Sequence, residues 1–286
     1  MTSPLTTSAA ARPAHRKRPF AWRQVAALAR LEIRQGLFRG RSVGFWLLAL
    51  VPVVLTGLAA VLRVLEGDRP SVAGVTETFA WIFQGLILML VVFFGCLLVF
   101  GGSVRREILE RTLHYLYLVP MTRRELLVGK YVGAFVGMAS LLALSTLATF
   151  VLVYLPLGGQ ALGFVAGGPG LGHLVTYLLV VILGVAGYGA VFLAFGLFFK
   201  KPAIPGIVFF GWEMANFLLP PGLKRISVIH YLKSLTPVPV DEGPLAVLAD
   251  APGPVAAVVG LLLFIAAVLV LAGWKLGRTE ILYGED

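Results

Sequence analysis

Apolar residues in this chain gather into runs longer than a soluble core helix needs, with short polar breaks between them. Six runs stand out, at residues 43–62, 79–102, 126–155, 174–199, 203–219 and 255–274. A hydrocarbon core about 30 Å thick takes about 20 apolar residues of helix, so the pattern predicts six transmembrane spans. The fifth run is the shortest, bracketed by Lys200-Lys201-Pro202 and Pro220-Pro221. It predicts either a short, untilted crossing or a broken helix.

Ahead of the first run, the pattern changes to that of an amphipathic helix over 21–41. At about 100° per residue, Trp22, Val25, Ala26, Ala29, Ile33 and Leu37 share one face, and Arg23, Arg30, Arg34 and Arg41 form a stripe along its flank. An apolar face with an arginine border lies naturally in the membrane interface, guanidinium groups reaching the phosphates. Residues 1–20 are rich in Ser, Thr, Ala and Pro and end in Arg16-Lys17-Arg18, which reads as a disordered basic tail. A removed signal peptide is not expected. The organisation is therefore a tail (1–20), an interface helix (21–41) and a six-span unit (42–286).

Composition agrees. Of 286 residues 58% are hydrophobic and 13% charged, where a soluble domain is about a quarter charged. A soluble enzyme, a secreted disulfide scaffold and a disordered chain are excluded. The single cysteine, Cys96, lies in an apolar run and cannot form an intramolecular disulfide. The net charge of +10 would suggest nucleic acid in a soluble protein, but its distribution points elsewhere. With both termini cytoplasmic, 19 of the 24 Lys and Arg residues fall on the cytoplasmic side, as the positive-inside rule requires. A nucleic-acid partner is not expected. The glycine-rich, uncharged stretch 156–173 reads as an outer connection, and 220–252 has room for short outer helices. No internal repeat supports an inverted-repeat transporter.

The most informative stretch is 103–135, on the predicted cytoplasmic side. Arg105, Arg106, Glu107, Glu110 and Arg111 place opposite charges at helical spacing. Leu113, Leu116, Tyr117 and Val119 then make the segment apolar without the length to span, and Pro120 stops it. Thr122 and Glu125 match a capping box, T-x-x-E, opening the third span, with Met121 and Leu126 placed as a hydrophobic staple. A solvent-facing loop has no need of Leu113, His114, Tyr115, Leu116 and Tyr117 in series, so the interface or another protein should cover them.

This stretch resembles the cytoplasmic loop of type-2 ABC transporter permeases, the ABC-2 exporter family. There the loop after the second span typically reads E-x-x-x-(x)-T-L-x-x-L-(x)-x-x-P-x-(S/T)-R-x-E-(L/I)-(L/V)-x-G-K. Glu107, Thr112, Leu113, Leu116, Pro120, Thr122, Arg123, Glu125, Leu126, Leu127, Gly129 and Lys130 match it. The family often has a Gly-Thr pair at this place, and here Arg111 precedes Thr112. The resemblance implies an all-α permease subunit of an ATP-driven exporter in the inner (plasma) membrane. Residues 103–119 would then be a coupling helix docking on a separate ATPase subunit. Glu107, Glu110 and Arg111 would be its docking charges, and Thr112, Leu113, Leu116 and Tyr117 its packing surface. It implies a second permease copy, as homodimer or paralogue, and ATP with Mg on the partner rather than on this chain.

The residues themselves offer little other chemistry. No G-x-x-x-x-G-K-[ST] occurs, and His15, His114, His173 and His230 adjoin no ligand cluster, so no metal site is expected. Glu213 is the exception, mid-way along the fifth run with Asn216 one turn on. A charge at the bilayer centre costs about 2.5–3.5 kcal/mol on insertion scales, so it should face protein or water. It reads as a polar point on a substrate path or gate, or as a structural glutamate bonded to Asn216 or to another helix. Two other readings stay open, a membrane anchor in a larger complex and an intramembrane enzyme.

Overall fold

Backbone immersed in lipid must satisfy its own hydrogen bonds, and a helix does so within a single segment. In the computed structural model, which describes residues 22–38, 43–67, 70–109, 122–240 and 252–278, all regular structure among the described residues is helical. The elements are α1 (Trp22–Phe38), α2 (Val43–Glu66), α3 (Val72–Trp81), a π-helical stretch (Ile82–Val92) running into α4 (Phe93–Leu109), and α5 (Arg123–Tyr154). Then come α6 (Gly159–Gly167), α7 (Gly170–Phe198), α8 (Ala203–Met214) with a 3-10 turn (Ala215–Leu218), α9 (Pro221–Lys224), α10 (Val228–Ser234) and α11 (Pro254–Arg278).

Five helical stretches among the described residues are long and apolar enough to cross a membrane: Val43–Glu66, Val72–Ser103, Glu125–Leu157, Gly170–Phe198 and Pro254–Leu276. The second begins at Val72 rather than at 79, because Thr76, Glu77 and Thr78 dilute the apolar pattern without breaking the helix. Ser71 caps its start by accepting from the Gly74 N–H at 3.1 Å. The Thr76 and Thr78 hydroxyls fold back onto the Val72 and Gly74 carbonyls at 2.8 and 2.7 Å. The stretch 156–173, expected as a loop, is mostly helical, with α6 and the start of α7 inside it.

Helices of similar apolar content take very different places. Of the most apolar window in Gly170–Phe198, 67% is buried, against 28% in Val43–Glu66 and 22% in Pro254–Leu276. α7 is therefore the central strut, packed on α4, α5, α10 and α11, while α5 carries α1 and α2 on its other side. Small residues let α7 sit there. A Cβ on Gly196 would lie 2.7 Å from the Gly101 carbonyl oxygen of α4, so those backbones nearly touch. Polar side chains stitch the bundle as well: Tyr131 Oη donates to the Ala186 carbonyl at 2.8 Å, and Tyr154 Oη to Thr76 Oγ1 at 3.0 Å.

Contacts at the helix ends fix directions. Gly187 of α7 lies beside Leu261 of α11, and Lys275 sits over the Phe198 ring, so α7 and α11 run the same way. Gly101 also meets Pro202, and Gly273 meets Leu127. The C-terminal ends of α4, α7 and α11 and the N-terminal end of α5 thus share one face of the bundle, with Lys130, Lys200, Lys201 and Lys275 on it. This basic end matches the side that the sequence assigns to the cytoplasm.

The fifth run forms a shorter apolar helical element, Ala203–Leu218. α8 is 12 residues long, tightens into the 3-10 turn and stops before Pro220. Its aromatic face holds it to the bundle: Phe93 of α4 stands 6.0 Å from Phe209 and 5.2 Å from Phe210, ring centre to ring centre.

Candidate functional site

At the basic end, α1 lies across the start of α5. The buried face of α1 is Val25, Leu28 and Ala29, while Trp22 is 70% exposed and Ala26 is exposed too. The expected face is therefore rotated. At about 100° per residue, the apolar arc of α1 is wide enough to divide. One part packs on α5, and the part holding Trp22 and Ala26 is left for lipid, bordered by the exposed Arg23, Arg30 and Arg34. Helix α5 admits α1 through two glycines one turn apart. A Cβ at Gly129 would lie 2.8 Å from the Leu28 side chain, and one at Gly133 2.7 Å from the Ala29 carbonyl oxygen.

Between those glycines, Lys130 points into the junction and is 2% exposed. Its ammonium lies 3.5 Å from Glu32 Oε2 of α1 and donates to the Ser103 carbonyl of α4 at 3.4 Å. One side chain so ties the interface helix, the end of the second span and the start of the third. The expected coupling segment, 103–119, begins at Ser103, and the described chain resumes at Thr122, two turns before Lys130. The start of α5 is capped as expected. Thr122 Oγ1 accepts from the Glu125 N–H at 3.3 Å, and Glu125 Oε2 accepts from the Thr122 N–H at 2.6 Å.

Glu213 is fully buried, and its carboxylate accepts four hydrogen bonds. Oε2 accepts from Tyr188 Oη at 3.0 Å, Ser227 Oγ at 3.1 Å and the Ile229 N–H at 2.8 Å, and Oε1 accepts from the Val228 N–H at 3.1 Å. The first backbone N–H groups of a helix lack intrahelical partners. Ser227, at the N-cap of α10, turns its hydroxyl to Glu213 rather than to its own helix, and the carboxylate takes the place of the cap. Asn216, expected as a possible partner of Glu213, is 2% exposed, and its Nδ2 meets no hydrogen-bond partner among the described residues.

Of the other expected site residues, Glu107 stands in the last turns of α4. Glu110, Arg111, Thr112, Leu113, Leu116, Tyr117, Pro120 and Arg41 lie outside the described residues, as does the tail 1–20. Two polar positions, Glu32 and Gln84, escaped the sequence reading, and Lys130 entered it only as the end of the family pattern. Lys130 and Glu32 sit 98 positions apart, but a lysine two turns inside a long apolar helix is itself a sign that a partner exists. Gln84, in the π-helical stretch of the second span, donates to Thr236 Oγ1 at 3.2 Å and to the Val238 carbonyl at 3.5 Å. Its amide in an otherwise apolar run was the available signal.

Comparison with known proteins adds one finding. A family model described as "ABC-2 family transporter protein" matches residues 40–216, more than half of the chain. No curated protein matches it.

Proposed function

Because this chain belongs to the ABC-2 transporter family, we propose that it is the membrane-spanning permease of an ATP-driven exporter, worked by a separate ATPase subunit. It is a multi-pass membrane protein. In the proposed arrangement both termini and the basic end face the cytoplasm, in the inner (plasma) membrane, and two permease copies form the pathway. The observation carrying the coupling is the Lys130 junction. A push on 103–119 would reach the bundle through α4 at Ser103 and through the start of α5, and Lys130 of α5 joins Ser103 to α1 through Glu32. Closure of the ATPase pair would move α1, α4 and α5 as one body against the central α7.

The parallel course of α7 and α11 supports a sixth crossing. From Lys201 at the basic end the chain must return to the other face before Pro254. We read 203–240 as that crossing made in pieces: α8 rises to the depth of Tyr188, and α10 continues beyond it against Gly184. At 1.5 Å per residue, Tyr188 lies about 15 Å along α7 from Phe198, near mid-membrane. Glu213 is then a clasp joining the two pieces. Four donors of the protein itself converge on its carboxylate, which supports the structural role over a gate.

Co-purification tests the coupling. The full chain, expressed with a candidate ABC ATPase subunit, should retain that subunit, and Glu107→Arg with Arg111→Glu should release it while leaving the permease folded. Retention unchanged by the charge reversal would remove residues 103–119 as the docking site.

A further inference from the structure

A groove of about 690 Å³ opens on the outside of the bundle where α7 ends and α8 begins. Phe199 forms one wall, Ile204, Val208 and Trp212 form the other, and Lys200 and Lys201 stand at its end. The three α8 residues recur every four positions, which lines them up along one helix face. No carboxylate lines the groove. Both lysines are exposed, and the N-terminus of α8 adds its own positive dipole end beside them.

Its length matters as much as its lining. From Lys201 to Trp212 is about 16 Å of helical rise, close to half of a hydrocarbon core about 30 Å thick. The groove therefore spans one leaflet, with cations at the headgroup level and aromatic and aliphatic walls along the acyl region. A second apolar protein face seated here would cover two ammonium groups and bring them no counter-charge. An anionic phospholipid supplies both halves, a phosphate for the lysines and a chain for the groove.

We propose that this groove is a binding site for an anionic phospholipid of the leaflet at the basic end. The site shares no lining residue with the Lys130 junction and does not depend on the ATPase coupling. A resident lipid there would wedge α8 against α7 at the foot of the broken crossing, so leaflet charge would bear on how firmly that crossing stands.

The test uses the full chain purified in neutral detergent and native mass spectrometry, with phosphatidylglycerol and phosphatidylcholine of identical chains as probes. We expect phosphatidylglycerol to be retained about tenfold better, because each interfacial lysine favours the anionic headgroup. Lys200→Gln with Lys201→Gln should bring the two lipids within about twofold of each other. Val208→Trp fills the groove and keeps the lysines, and Val208 is 71% exposed, so the fold has nothing to lose. It should lower retention of both lipids about tenfold, as should Ile204→Trp. Equal retention of the two lipids by the unaltered protein overturns the proposal. So does retention that survives both groove-filling variants, full competition by inorganic phosphate alone, or a change of oligomeric state in Val208→Trp with lipid retention unchanged, which would assign the groove to a second copy.

Discussion

Lys130 and Glu213 are both charged side chains with almost no exposure, 2% and 0%, and their surroundings differ in kind. Glu213 is enclosed by donors that cannot leave: two backbone N–H groups of one short helix and two hydroxyls. Lys130 holds a carboxylate on another helix at 3.5 Å and a carbonyl on a third at 3.4 Å, both long contacts. Tight, complete satisfaction by fixed groups makes a rigid clasp. Long contacts shared among three elements make a joint that can shift without being lost. The difference suits the two places, a crossing that must stay assembled and an end that must respond to a push.

The strongest way to break this comparison is at Glu213. Glu213→Leu leaves the Val228 and Ile229 N–H groups and the Tyr188 and Ser227 hydroxyls buried without an acceptor, and should cost about 3–5 kcal/mol. Thermal unfolding of the purified protein should show it, with loss of the folded fraction on expression. Glu213→Gln keeps one acceptor oxygen but aims an amide at N–H donors, and should cost about 1–3 kcal/mol. A Gln variant as stable as the parent but defective in export would return Glu213 to the pathway and end the clasp reading.

A second variant disturbs the basic end by crowding α1 rather than by removing a charge. Gly133→Leu drives a side chain into the Ala29 carbonyl oxygen, 2.7 Å from where its Cβ would lie. Backbone cannot swing aside as a flexible side chain can, so α1 must lift. Overpacking of this kind costs about 1–3 kcal/mol, and limited proteolysis should cut α1 faster while α7 stays protected. If α1 remains as resistant as in the parent, it is not held by this crossing.

Local devices were legible in the sequence. The Thr122–Glu125 capping box spans four residues, so the local spacing alone brings its groups together, and it formed in the structure. The five long stretches were legible too, since hydropathy over about 20 residues outweighs any neighbour. Their places in the bundle were not. Val43–Glu66 and Gly170–Phe198 read alike as apolar runs, and burial and packing, the close approach of Gly196 to Gly101 among them, reveal which one is central. That Glu213 needed satisfaction was legible, but its partners were not, because they lie 14 to 25 positions away, one within α7 and three at the start of α10. Ser227 opens an apolar helix with no Glu or Gln at the third position, which in retrospect marks a start that borrows its cap from elsewhere.

The finest test separates a joint from a clasp by measuring the coupling itself. In a double-mutant cycle, Glu32→Gln, Lys130→Met and the pair of them should give an interaction of about 1 kcal/mol. That is less than the Glu213 network yields, because the Glu32 side chain keeps 15% exposure and the contact is 3.5 Å long. The single Glu32→Gln should cost more than the double variant, since it strands an ammonium that the double variant removes. Stability alone would not distinguish a brace from a relay, so the cycle should be repeated with ATPase activity of the assembled complex as the readout. A relay predicts that both singles uncouple hydrolysis from the permease by more than their stability losses explain. It also predicts that the exchanged pair, Glu32→Lys with Lys130→Glu, recovers part of the coupling, because the two groups still attract across the same junction. If the exchanged pair regains stability but no coupling, the junction only braces α1 against α5, and the push from residues 103–119 travels by another route.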